Sequence, residues 1–302
     1  MIHSNTRLRS GFLYSLGGVA LLSTNFVTAK YGLKGFNPET FSLVWTTAAA
    51  VYALIIALSI KASRDQIYPK NSIKAMVGLG ASTGVSMVLT WSGLACLNPV
   101  FSSLIWRFYP VLAMLSGVLF LKEKLSRVEV IAVMIMLMGS LISISGRWEI
   151  VGKGVIFTIL AAFTGALQLL IAKTQTDKVH PNILVAYRVG IGAAVTAVWA
   201  FSSGKAEFDV EARYWLITLA GAFLGPCASF LLTFRSYRYW SLSQSSMVLN
   251  IQPLLVLPMA YVFLGSLPTI KELAGGSVIL AGAFWLAWIH IAKANNTPQQ
   301  TQ

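Results

Sequence analysis

Acidic side chains are scarce in this sequence: ten aspartates and glutamates in 302 residues, against 23 lysines and arginines. All ten fall between long apolar runs or at their ends: Glu39, Asp65, Glu123, Glu129, Glu149, Asp177, Glu207, Asp209, Glu211 and Glu272. A carboxylate inside such a run is the usual protonatable group of a proton-driven carrier. Its absence argues against carboxylate-based proton antiport and for uniport or exchange. The three histidines, His3, His180 and His290, are equally peripheral. Cysteine is nearly missing too: Cys96 and Cys227 form neither a disulfide framework nor a metal motif. A P-loop, an HExxH run and a Gly-x-Ser-x-Gly elbow are all absent, which excludes ATP-driven pumping by this chain and points away from an enzyme. No cofactor or metal is expected.

Charge of both signs is thin, at 11% of residues, where a soluble domain carries roughly 25%. In its place stand hydrophobic residues, 56% of the chain, with a mean hydropathy of +0.70. They gather in runs of about 20 residues, each long enough to cross roughly 30 Å of hydrocarbon as a helix. Ten such spans are predicted, near 11–29, 39–60, 74–95, 99–121, 128–145, 154–172, 182–203, 214–234, 242–264 and 270–292. Turn signals separate them, among them Asn37-Pro38, Asn98-Pro99, Gly146, His180-Pro181 and Gly265 with Pro268. Arg7 and Arg9 precede the first run, which lacks a small-x-small cleavage site and reads as a retained span. The net charge of +13 sits in short flanking segments, as topological anchors do, with no contiguous basic module for nucleic acid.

The first half of the chain recurs in the second. A constant shift of 143 positions takes Pro38 to Pro181, Pro110 to Pro253, Glu129 to Glu272 and Gly139 to Gly282. It also carries Lys30 to Lys173, Gly78 to Gly221 and Ser102-Ser103 to Ser245-Ser246. With the N-terminus placed in the cytoplasm, inner segments hold twice the lysines and arginines of outer ones, so both termini are expected inside. Five spans per half is an odd number, so the halves, 1–145 and 146–302, insert in opposite senses. That predicts an all-α membrane fold of two inverted five-helix repeats around a central cavity, a plan typical of secondary transporters.

The fourth span runs from Pro110 through an apolar stretch to Glu123-Lys124-Leu125, and Gly139 falls late in the fifth. The second copy keeps Pro253, Leu264, Glu272 and Gly282. This pattern resembles the drug/metabolite transporter superfamily, specifically its EamA-type exporters, over nearly the whole chain. Arg188, preceded by Tyr187, looks like that family's second-helix arginine. Trp45 in the equivalent place of the first half departs from the pattern, as does Ser266 where the family usually has Glu. The resemblance implies a cavity lined by helices 1–4 and 6–9, alternating access and export of small metabolites.

Arg107, about eight residues into the fourth span, is expected roughly 12 Å below the outer surface. Burying it there costs ~2.5–3.5 kcal/mol on insertion scales, so it should meet a substrate anion, or else snorkel or bond to carbonyls near Pro110. Its counterpart under the shift is Asn250. Asn25 pairs with Gln168 and Ser86 with Ser229, and these join Gln252 and Arg188 as polar candidates for substrate contact. Trp45, Trp91, Trp106 and Tyr109 are candidate aromatic walls. Each of these also has a structural reading, in interhelical hydrogen bonding or packing. Lys30 and Lys173 end spans on opposite faces and read either as paired gates or as headgroup anchors. Gly80-xxx-Gly84 and Gly221-xxx-Gly225 are expected to tighten packing within each half.

The function these residues support is a secondary active or facilitative transporter that exports small metabolites, amino acids or related carboxylate-bearing compounds, by alternating access. The expected partners are a small-molecule substrate and the lipid bilayer, without nucleic acid, in a monomer or alternatively a dimer. The expected location is a bacterial inner membrane. The competing readings are a lipid or drug flippase-like protein and a non-transporting receptor or subunit.

Overall fold

The computed structural model describes residues 2–106, 108–124, 126–144, 152–249, 251–265 and 269–296. Among them every regular element is helical. In chain order these are α1 (Ile2–Gly32), α2 (Pro38–Ser59), the short α3 (Lys61–Arg64), a 3₁₀ turn at Lys70–Ser72, α4 (Ile73–Cys96), α5 (Pro99–Ile105), α6 (Phe108–Leu121) and α7 (Arg127–Ile144). The second half continues with α8 (Lys153–Gln175), α9 (Pro181–Ser202), α10 (Ala212–Ala222), a π-helical turn at Phe223–Ser229, α11 (Phe230–Ser236), α12 (Leu242–Leu249), α13 (Gln252–Leu264) and α14 (Ile270–Asn296).

Eight helical stretches are long and apolar enough to cross a membrane, and two shorter apolar stretches, Val130–Gly139 and Leu273–Gly282, lie in α7 and α14. Large apolar side chains such as Leu119, Phe120, Val198, Leu216, Val262 and Phe263 are exposed around the bundle. So much outward apolar surface fits lipid and not water as the surrounding medium.

Local sequence sets the helix starts. Asn37 Oδ1 accepts from the Thr40 amide at 2.8 Å to begin α2, and His180 Nδ1 accepts from the Asn182 amide at 3.2 Å to begin α9. Pro38 and Pro181 follow at the first helical position, where a missing N–H costs nothing. The fourth and ninth expected spans are each broken into two helices, α5–α6 and α12–α13. Both breaks precede a proline: Pro110 cannot donate back to Trp106, and Pro253 restarts the ladder at the head of α13.

Packing joins the halves to each other. Helix α1 lies against α10, the π turn, α11 and α13, while α8 lies against α4 and α6. The second helices of the halves, α2 and α9, pack together, and so do the fifth, α7 and α14. At that last seam a methyl on Gly139 would strike the Gly275 carbonyl, and one on Gly282 would strike Met136 and the Ala132 carbonyl. The two late glycines therefore let one close approach be made twice, once from each side. The Gly80 and Gly84 pair corrects the expectation of packing within a half. Both face α9 of the other half, at Tyr187, Ile191, Gly192 and Val195, and Gly221 and Gly225 meet Thr28, Trp45 and Asn25 of the first half.

Candidate functional site

Arg188, on α9, is 1% exposed and sits at the meeting of both halves. Its Nε donates to Gln168 Oε1 on α8 at 2.9 Å, and the Thr83 hydroxyl of α4 lies 2.8 Å from that same oxygen. Nη1 donates to the Pro226 carbonyl at 3.0 Å. The Phe230 ring covers one face of the guanidinium, with Cζ 3.4 Å from the ring centroid. Among the described residues no carboxylate lies within ion-pair distance. The ion pairs seen, Lys205–Glu39 and Arg213–Glu211, involve loop or helix-end residues.

The π turn explains how a carbonyl reaches Arg188. Pro226 lacks the N–H for an α-helical bond, so the ladder widens around it. Gly225 matters for closeness: a side chain there would collide with the Asn25 amide of α1. Asn25 is 8% exposed and its Oδ1 has no hydrogen-bond partner among the described residues. The Ser229 hydroxyl donates to the Gly225 carbonyl within the same turn. Tyr109 of α6 packs against Gly165 of α8 and stacks on Trp106 at 5.0 Å between centroids.

Of the expected site residues, Arg188, Gln168, Asn25, Ser229, Tyr109 and Trp106 thus cluster around the interface of α1, α8, α9 and the π turn. Trp45 and Trp91 form a separate T-shaped pair at 5.1 Å, beside Phe41 and against Gly221. Ser86 donates to the Ala161 carbonyl at 3.2 Å and ties α4 to α8. Gln252 is buried at the start of α13. Arg107 and Asn250 lie outside the described residues.

Lys30 and Lys173 each hold a helix end. Lys30 Nζ donates to the carbonyls of Leu94, Ala95 and Leu97 at 2.8, 3.2 and 2.8 Å, closing the C-terminus of α4. Lys173 Nζ donates to Tyr237 and Trp240 at 2.6 and 3.0 Å, beyond the C-terminus of α11. A cation on orphan carbonyls is favoured by both hydrogen bonding and the helix dipole. The loop after α11 is also held at its far end, by a residue sequence reasoning left out of the site. Glu123 accepts from the amides of Leu242 and Ser243 at 3.0 Å each, and from the Ser243 hydroxyl. A carboxylate thus caps α12 across the boundary between halves. Leu242 corresponds to Pro99, which has no N–H, and Glu123 to Ser266, outside the described residues. Thr83, Phe230 and the Pro226 carbonyl were missed as well. Only the proline gave any signal, as a kink within a span.

Outside the spans, burial holds the His180 imidazole below its usual value, with the positive charges of Arg238 and Arg235 adding to the effect. Its free Nδ1 lone pair is what caps α9. No cluster of metal-ligating side chains occurs among the described residues.

Comparison with known proteins agrees with this architecture. The model of the EamA-like transporter family matches twice, over residues 9–145 and 152–288, two stretches set apart by the same shift that relates the halves. An uncharacterized transporter of Bacillus subtilis, YxxF, is 27% identical over 202 residues, covering 65% of this chain and 64% of its own. An uncharacterized transporter of Archaeoglobus fulgidus is 24% identical over 135 residues, and the match spans 47% of its length. A probable terminal-alkyne amino-acid exporter of Streptantibioticus cattleyicolor is 26% identical over 287 residues, covering 87% of this chain and 89% of its own. A crystal structure at 16% identity superposes with a TM-score of 0.72, covering 96% of this chain and 99% of the other, and shares the fold.

Proposed function

The chain belongs to the EamA-like transporter family, and on that premise we propose that it exports small organic metabolites across a bacterial inner membrane by alternating access. The eight long stretches together with α7 and α14 make ten spans, arranged as inverted repeats over 1–145 and 146–302 with both termini cytoplasmic. The substrate class is amino acids or related carboxylate-bearing compounds. The probable amino-acid exporter among the relatives supports that choice, since it aligns over most of both chains.

One observation carries the reading: equivalent lysines cap equivalent helix ends, Lys30 on α4 and Lys173 beyond α11. Inverted repeats place these two caps on opposite faces. A carrier of this kind opens to one side by loosening one set of helix-end contacts while the other holds. Lys30 and Lys173 then act as gates through the carbonyls they hold. The carboxylates all lie between the expected spans or at their ends, which supports uniport or exchange down a gradient. Counterflow into proteoliposomes preloaded with unlabelled substrate tests this. Accumulation of at least one radiolabelled carboxylate or amino acid is expected, and no accumulation across that panel would overturn the transport reading.

A further inference from the structure

Arg188 is a buried cation with an unmet need. A guanidinium has five N–H donors, and the protein takes up two of them, through Gln168 Oε1 and the Pro226 carbonyl. Both acceptors are neutral. The remaining donors, one on Nη1 and two on Nη2, meet no acceptor among the described residues. Free N–H donors on both terminal nitrogens can match the two oxygens of a carboxylate.

The surroundings narrow the ligand further. Phe230 occupies one face of the guanidinium, and an aromatic ladder continues along α11 through Phe234 to Tyr237, at centroid separations of 5.6 and 5.8 Å. The Tyr237 hydroxyl is buried without a hydrogen-bond partner among the described residues. An apolar or aromatic body beside the anion would meet ring surface of its own kind. A second ammonium would meet a like charge, because Lys173 Nζ already lies 6.0 Å from the Tyr237 ring centroid. Glu123, which holds the far end of the loop after Tyr237, is already spent on the amides of α12.

Buried charge must balance. A zwitterion brings no net charge and leaves Arg188 uncompensated. A phosphate brings about two negative charges at neutral pH and overshoots. A monocarboxylate with an apolar body brings one. We infer that Arg188, with Gln168 and Thr83 orienting it and the Phe230–Phe234–Tyr237 ladder beside it, forms a binding site for aryl or alkyl monocarboxylates, and that it selects them over zwitterionic amino acids. Within the proposed class, amino acids or related carboxylate-bearing compounds, this favours the second kind; it rests on the transport reading for its purpose, but not for its measurement.

The test is binding to the purified protein in nanodiscs, using a matched set. 3-Phenylpropionate carries the carboxylate alone, phenylalanine adds the ammonium, and 3-phenylpropionamide removes the anion. We expect 3-phenylpropionate to bind at least about tenfold tighter than either, and inorganic phosphate to compete poorly. Arg188→Gln should bring the three affinities together. Equal or tighter binding of phenylalanine or phosphate overturns the inference, as does no binding of 3-phenylpropionate or an unchanged ratio in Arg188→Gln. The wild-type comparison decides the matter even if that variant fails to fold. Selective binding without counterflow would sink the transport reading alone. Counterflow of phenylalanine with no preference for 3-phenylpropionate would sink this inference alone.

Discussion

Lys30 and Lys173 reach helix ends at identical distances along the chain: 64 residues on, to Leu94 and Tyr237, and 67 residues on, to Leu97 and Trp240. A duplicated sequence has kept a tertiary contact in each copy. Removing either ammonium leaves carbonyls in an apolar setting without a donor. Lys30→Met and Lys173→Met should each lower stability by about 2 kcal/mol. The loss should be larger for Lys30, which holds three carbonyls and not two. Thermal unfolding in detergent checks both, and unchanged midpoints would mean the caps are incidental.

Gly225 is a position where the Arg188 site leaves no room for a side chain. Gly225→Ala should cost about 1–3 kcal/mol, the range for overfilling a packed interior. The strain falls on the Asn25 amide, so Asn25→Ala should recover a large part of it in the double variant. Additive losses in the double-mutant cycle would place the clash elsewhere.

The Glu123 cap can be read from amide exchange. Glu123→Gln keeps the side chain's size but removes the charge facing the first amides of α12. Leu242 and Ser243 should then exchange about tenfold faster or more, as expected for losing a charge-assisted bond of about 1.5–3 kcal/mol. Unaltered protection at both amides would show that Glu123 does not hold the helix.

Acidity should weaken the start of α9. The His180 pKa lies below the ordinary 6.5 in the folded protein, first because of burial and then because of Arg238 and Arg235. Its stabilising contribution is therefore full above about 6.5 and is lost as pH falls toward the folded value. Protonation also fills the Nδ1 lone pair that accepts from Asn182. Replacing it as His180→Asn, the residue that caps α2, should remove this pH dependence. Unfolding temperatures at pH 7.5 and pH 5 would fall further apart in wild type than in the variant.

The all-helical membrane class, the internal copy and the lysine pair were legible in the sequence because charges and prolines are rare enough to stand out. The faces by which the helices meet were not. In lipid the outward and inward sides of a helix are both apolar, so the amphipathic pattern that locates a core in water is absent. For this reason Gly80 and Gly84 were assigned to packing within one half, although they face α9 of the other. The π turn at Pro226 was hidden too, since a proline announces a kink but not which carbonyl it releases. Arg188 was visible as a charge. Its neutral partners were not, because Gln168, Thr83 and the Pro226 carbonyl come together from three separate helices.

The proposed alternating access can be tested directly at Glu123 and Ser243, which meet across the boundary between halves. In a background with Cys96→Ser and Cys227→Ser, the pair Glu123→Cys and Ser243→Cys can be bridged by a short dithiol-reactive linker. On the proposed mechanism, in which the loop between α11 and α12 leaves Glu123 when the carrier opens on that side, counterflow should cease on bridging and return on reduction. Flux that continues unchanged through the bridged protein would contradict alternating access at this face.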